Sequence, residues 1–268
     1  PMRDEMYNRH IAFSGADGGV WSEPVQPVVG RRVLTLQGDT SKVLLQERQM
    51  RGERLPAPSA FDEKNQAHLR NWATWDAYRL SQIGPDGFTV RKKATAVNPW
   101  IGTAGGKRAG GLMFVGDTSG GVELGMEDFW QTCPSTLEVT GATTPEATAT
   151  LWIWSPEAEA MDMRHYDVRA HDLLSSYEDV QEGMSTPYGI AHTSGFRIAP
   201  VDGYKGKETF ARHAADFSSV VQLLPTPKYL HSRRAFGVWS LPDRSNAARA
   251  EVERRLDEYI DIYRKAID

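Results

Sequence analysis

From Val28 to about Thr150 the chain breaks into short apolar runs set roughly ten residues apart, each closed by glycine, proline, aspartate or threonine. No stretch of helical period separates them. Strands joined by tight turns pair antiparallel, whereas parallel strands need long crossovers, so this spacing points to a mainly β fold, an antiparallel β-sandwich. The clearest hairpin joins Ala77 to Ile83 with Phe88 to Lys93 through Gly84-Pro85-Asp86-Gly87, where proline presets φ and glycine supplies positive φ. Further hairpins are expected for Val33 to Leu36 with Val43 to Leu45, for Gly111 to Gly116 with Gly121 to Met126, and for Leu137 to Thr140 with Ala147 to Trp154.

After Ser155 the pattern changes. Residues 157–183 are polar and lack alternation, which reads as long loops, and Gly189 to Ile198 reads as a returning strand. Apolar residues at 210, 217, 220, 221 and 224 suggest a helix from Thr209 to Leu224, stopped by Pro225 and Pro227. From Ser245 onward Val252, Leu256, Tyr259, Ile260, Tyr263 and Ile267 share one helical face, a stripe that needs a partner surface. We divide the chain into a sandwich over 1–205 and a helical region over 206–268.

Thirty-one Lys and Arg against 35 Asp and Glu leave a net charge of −4, which excludes a strongly basic nucleic-acid surface. The single Cys133 can form neither an internal disulfide nor a thiolate metal cluster, so packing must supply the stability. No run approaches the roughly 20 apolar residues of a membrane span. The chain opens on a charged stretch rather than a signal peptide and ends within a helix, so it is expected to be a cut from a longer protein, with further domains on both sides.

Several groups could carry chemistry. Met161 to Asp167 crowds Arg164, His165 and Tyr166 between Asp162 and Asp167. Arg164 can neutralise a carboxylate, and His165 or Tyr166 can move a proton, although a polar loop with a hydrogen-bonded histidine fits the same residues. A cation site on Asp162, His165 and Asp167 matches no specific ligand spacing. Tyr188 and His192 fall on one face if their segment is extended and form a second acid-base pair. His231, near Tyr229, Arg233 and Arg234, is a third candidate. Asn98 to Gly111 reads as a glycine-rich loop presenting Lys107 and Arg108, but Arg108 follows Lys107 where a phosphate-binding loop needs Ser or Thr. Trp152 and Trp154, two apart on one strand, are expected in the core; Trp100 and Trp130 are the better candidates for exposure and substrate contact. Glu123 and Glu127 read as solvated strand-edge carboxylates in preference to a glycosidase pair.

Taken together, GLMFVGDTSGGVELGMEDFWQTCPSTLEV, ATLWIWSPEAEAMDMRHYD, STPYGIAHTSGF and KYLHSRRAFGVWSLPD resemble the central region of the exo-rhamnogalacturonan lyase (YetA-like) family over roughly residues 20–268. The resemblance implies a supersandwich-like central β-sandwich, lacking its first strands, followed by the opening helices of an (α/α) toroid. It also implies an extracellular or periplasmic polysaccharide lyase acting on the rhamnose–galacturonate backbone of pectin by β-elimination. In that chemistry Arg164 or Arg108 would neutralise the uronate carboxylate, and His165, Tyr166, Tyr188 or His192 would act as base or acid. Lys107, Arg108, Trp100 and Trp130 would bind the sugar. No cofactor is implied; a divalent cation has no residue support. The alternative is a non-catalytic scaffold or carbohydrate-binding sandwich whose chemistry lies in the toroid. The 268-residue chain alone is expected to be inactive.

Overall fold

A computed structural model describes residues 2–28, 45–159, 193–219 and 223–267. Its strands are β1 (Arg9–Gly15), β2 (Val20–Pro24), β3 (Ala77–Gly84), β4 (Gly87–Lys93), β5 (Ile101–Gly106), β6 (Ala109–Asp117), β7 (Gly121–Met126), β8 (Ser135–Thr140), β9 (Thr148–Trp152) and β10 (Phe196–Val201). Helices α1 (Leu45–Met50) and α2 (Glu63–Asn71) fall between β2 and β3, and α3 (Lys207–Ser218), α4 (Pro227–Ser232) and α5 (Ala247–Ile267) follow the strands. Two antiparallel five-stranded sheets result, ordered β10-β7-β6-β1-β2 and β5-β4-β3-β8-β9.

Alternation along the strands explains why the sheets face each other. Ile11 and Phe13 of β1, Met113 of β6, Tyr78 and Leu80 of β3, Val90 of β4, and Leu137 and Val139 of β8 are buried together between the sheets. The unbroken apolar run Leu112-Met113-Phe114 has a second cause. Leu112 and Phe114 point to the opposite face, where Phe210 and Ala214 of α3 cover them along with Ala12 and Tyr204. A strand covered on both faces has no reason to alternate. A third apolar cluster, Tyr7, Val28, Leu45, Leu55, Phe61 and Leu69, carries α1 and α2 on the side of the sandwich. Buried Gln49 fastens this layer, donating to the carbonyls of Tyr7 and Gln26 and accepting from the Val28 amide.

The Gly-Pro-Asp-Gly hairpin forms as expected, in one register from Ala77↔Lys93 to Gln82↔Phe88 and with a shift before the Gly84↔Gly87 pair at the turn. The β6–β7 and β8–β9 hairpins also form. Several expectations need correction. Residues 29–44, including Val33 to Leu36, lie outside the described residues, and Leu45 opens a helix instead of closing a strand. The supposed loop at 98–111 contains strand β5, whose glycines pass beneath Phe88: a Cβ at Gly106 would meet the Phe88 ring, and one at Gly105 the Phe88 carbonyl. Trp152 and Trp154 are 37% and 39% exposed. They sit at the end of β9, an edge strand, and their indole N–H groups donate to Glu138 Oε2 and to the Glu159 carbonyl. The returning strand begins at Phe196, and α3 ends at Ser218.

The chain separates into two compact units, Pro1–Ser219 and Val220–Asp268. The second holds α4 and α5, with Val252, Leu256, Tyr259, Ile260 and Tyr263 about half exposed or more. Its polar face is laced by Arg254 with Glu251 and Glu258 and by Arg255 with Glu251. Among the described residues no helix is long and apolar enough to cross a membrane.

Candidate functional site

Strand register brings four connections to one end of the sandwich. Gly15 of β1 pairs with Ala109 at the start of β6, and Leu112 of β6 with Gly125 near the end of β7. Phe88 at the start of β4 pairs with Gly106 at the end of β5, and Gln82 near the end of β3 with Ser135 at the start of β8. The β1–β2, β3–β4, β5–β6 and β7–β8 connections therefore share this end.

Lys107 and Arg108 form the β5–β6 turn here, both exposed. The turn is held from below by fully buried Gln82, whose amide accepts from the Ala109 N–H (2.8 Å) and donates to the Lys107 carbonyl (3.1 Å). The Arg108 guanidinium lies 4.0 Å over the Trp130 ring centroid, and its Nη2 is 3.5 Å from Asp86 Oδ1 of the β3–β4 turn. Stacking on an indole orients a guanidinium while leaving N–H groups free for a carboxylate. Lys107 has no ion-pair partner among the described residues.

Arg164, His165, Tyr166, Tyr188 and His192 all lie outside the described residues. The strand ends on either side of them are described. Trp152, at the end of β9, pairs with Thr136 near the start of β8, and Phe196, at the start of β10, pairs with Met126 at the end of β7. The connection carrying all five candidates thus leaves and rejoins the sandwich at the same end as Arg108 and Trp130.

Trp100 is not brought there. It precedes β5 while Lys107 follows it, about 20 Å away along a six-residue strand. Its ring is flanked by the Arg79 guanidinium (4.6 Å) and Lys93 Nζ (4.7 Å) on the outer face of the second sheet. Arg79 joins a charged row there, bonding Glu138 at 3.0 Å and Glu157 at 2.9 Å, and Arg91 reaches Glu157 at 3.2 Å. Burial alone would lower the Arg79 pKa, but the two carboxylates carry it above its ordinary value. Glu138 also accepts from Trp152. The cations and anions of this row neutralise one another, which suits support better than proton transfer.

Of the two carboxylates expected to be solvated, Glu123 is not. Glu123 is buried on β7 and bonds His213 Nδ1 of α3 at 2.6 Å, while Glu127 is exposed. His213 went unnoticed because its partner lies ninety positions away; only the helical face shared with Phe210 and Phe217 hinted that it meets the sheet. Arg79 could have been found from the hairpin register that sets it opposite Arg91. In the second unit His231 lies on α4 and, with Arg234, Phe236 and Trp239, lines a cavity of about 560 Å³. Among the described residues no three His, Cys, Asp or Glu side chains converge on a metal-sized site.

Comparison with known proteins gives two family matches. Residues 1–215 match the PcRGLX-like protein central beta sandwich domain, and residues 220–268 match the PcRGLX-like protein C-terminal alpha/alpha toroid domain. The chain is also 33% identical over 267 residues to the uncharacterized protein YetA of Bacillus subtilis (strain 168), covering 100% of this chain and 30% of that relative.

Proposed function

The chain belongs to the PcRGLX-like protein family, and from that membership we propose that it forms part of a polysaccharide lyase that cleaves a rhamnogalacturonan-type pectin backbone by β-elimination at a uronic acid. One observation supports this most directly. Arg108, stacked on Trp130 beside exposed Lys107, lies at the same sandwich end as both strand ends of the connection bearing Arg164, His165, Tyr166, Tyr188 and His192. In the reaction a cation holds the uronate carboxylate and takes up charge as a base removes the C5 proton. The C5–H electron pair becomes the C4=C5 double bond, the bond to the C4 oxygen breaks, and an acid returns a proton to the departing oxygen. Arg108 or Arg164 supplies the cation; the histidines and tyrosines of the connection supply base and acid.

The test uses the whole protein and rhamnogalacturonan, following the ultraviolet absorbance of unsaturated product. Arg108→Met is expected to lower turnover at least tenfold, and alanine at Arg164, His165, Tyr188 or His192 to lower it further. An active wild type with unchanged rates in all these variants would remove catalysis from this region. The second reading, a carbohydrate-binding or scaffold sandwich, draws on the mutual pairing of Arg79, Arg91, Glu138 and Glu157. It predicts wild-type rates in the variants together with weakened retention on immobilised polymer.

A further inference from the structure

The sandwich is open along the edge where β2 of one sheet faces β5 of the other, leaving a cleft of about 270 Å³ beside the Lys107–Arg108 turn. We propose that this cleft is a subsite for one uronate residue of an acidic oligosaccharide, a step that rests on the carbohydrate reading above.

Size, walls and charge each support it. At about 270 Å³ the cleft lies just below the range of about 300–1,000 Å³ that drug-sized ligands fill, which suits a single sugar ring. Phe13 and Trp21, stacked at 5.6 Å, form one wall, and Phe88 from the other sheet forms the opposite one. Aromatic walls suit the C–H faces of a pyranose. Among the described residues both flanking strands are sheet edges, so the backbone N–H and C=O groups on their outer sides have no ladder partner there and can meet hydroxyls. Gly106 of β5 leaves room for the Phe88 ring that forms the opposite wall, because a Cβ there would overlap it.

The polar groups on the rim select the ligand's charge. Asp17 folds back so that Oδ1 accepts from the Gly19 amide at 2.9 Å, leaving Oδ2 to accept from a sugar hydroxyl. Lys207, the first residue of α3, lines the cleft, is exposed, and has no ion-pair partner among the described residues. A neutral sugar would leave that ammonium unused, whereas a uronate carboxylate pairs with it.

The experiment labels tryptophan in the full chain and follows the Trp21 indole signal, assigned from the Trp21→Phe variant, during titration with galacturonate and with galactose. Galacturonate is expected to shift this signal and to bind at least tenfold more tightly than galactose. Lys207→Met should bring galacturonate down to the galactose level without changing galactose itself, and Gly106→Ala should weaken both. A Trp21 signal that ignores galacturonate, or a preference that survives Lys207→Met, overturns the subsite. The lyase reading is judged separately by product formation. An active enzyme with a silent cleft sinks only the subsite, whereas uronate bound in the cleft of a protein that forms no product sinks only the lyase reading.

Discussion

His10 carries the largest electrostatic liability of the first sheet. Its ring is 1% exposed and stacks on Tyr204 at 4.4 Å between centroids, and its Nε2 has no hydrogen-bond partner among the described residues. Burial pushes its pKa from 6.5 to about 3, and the nearby Asp117 charge only partly opposes this. The folded protein therefore holds a neutral imidazole where the unfolded chain would bind a proton. Stability from this residue is complete above pH 6.5 and is lost as pH falls towards 3, at up to about 1.4 kcal/mol per pH unit. Unfolding free energies from denaturant titrations at pH 6.5 and pH 5 should differ by a loss of about 1.6 kcal/mol that His10→Phe, which keeps the stack without the titration, removes. An identical slope in the variant would refute this. At this scale the sequence showed which side chains could act but seldom with whom. Arg108 was legible as a cation in a turn. Its seat on Trp130 was not, because a strand pair and a second turn must form before the two meet.

Elements were legible where turn chemistry or period was strong. Gly84-Pro85-Asp86-Gly87 announced β3 and β4, and the spacing from Val252 to Tyr263 announced α5. β1 and β2 were overlooked because the hydrophobic run in β1 is only Ile-Ala-Phe, within charged and small residues. β5 was hidden by its own glycines, which serve the packing of Phe88. The position of α3 depends on the same kind of clearance. It crosses the first sheet with Phe210 and Ala214 against Leu112 and Phe114, and Phe217 closes over Gly125 of β7. A Cβ at Gly125 would fall inside the Phe217 ring's contact surface. Gly125→Ala should therefore cost about 1–3 kcal/mol, read as a lowered thermal midpoint of the sandwich unit, and adding Phe217→Leu should recover part of it. If Gly125→Ala alone is neutral, α3 is not seated as described.

At the scale of the whole chain, the net charge of −4 says less than its placement. Charges on the outer face of the second sheet are consumed by one another, while Lys107, Arg108 and Lys207 are gathered near one end and one open edge. The same end is where β9 stops and β10 starts, on facing edges of two sheets whose separation is about 10 Å. Four or five extended residues reach that far. Replacing residues 160–192 by a linker of six to eight glycines and serines, which keeps buried Ser155 and the Glu157 partner of Arg79 and Arg91, should thus leave the sheet pairing and the sandwich's unfolding midpoint within about 1 kcal/mol of the parent, while abolishing turnover. A collapse of the sandwich would show that the excised segment is structural. If the sandwich survives, it is a frame with an interchangeable cassette: relatives could diverge in specificity by rewriting one long connection while the frame stays the same, and the same seam offers an insertion point for building new binders on this scaffold.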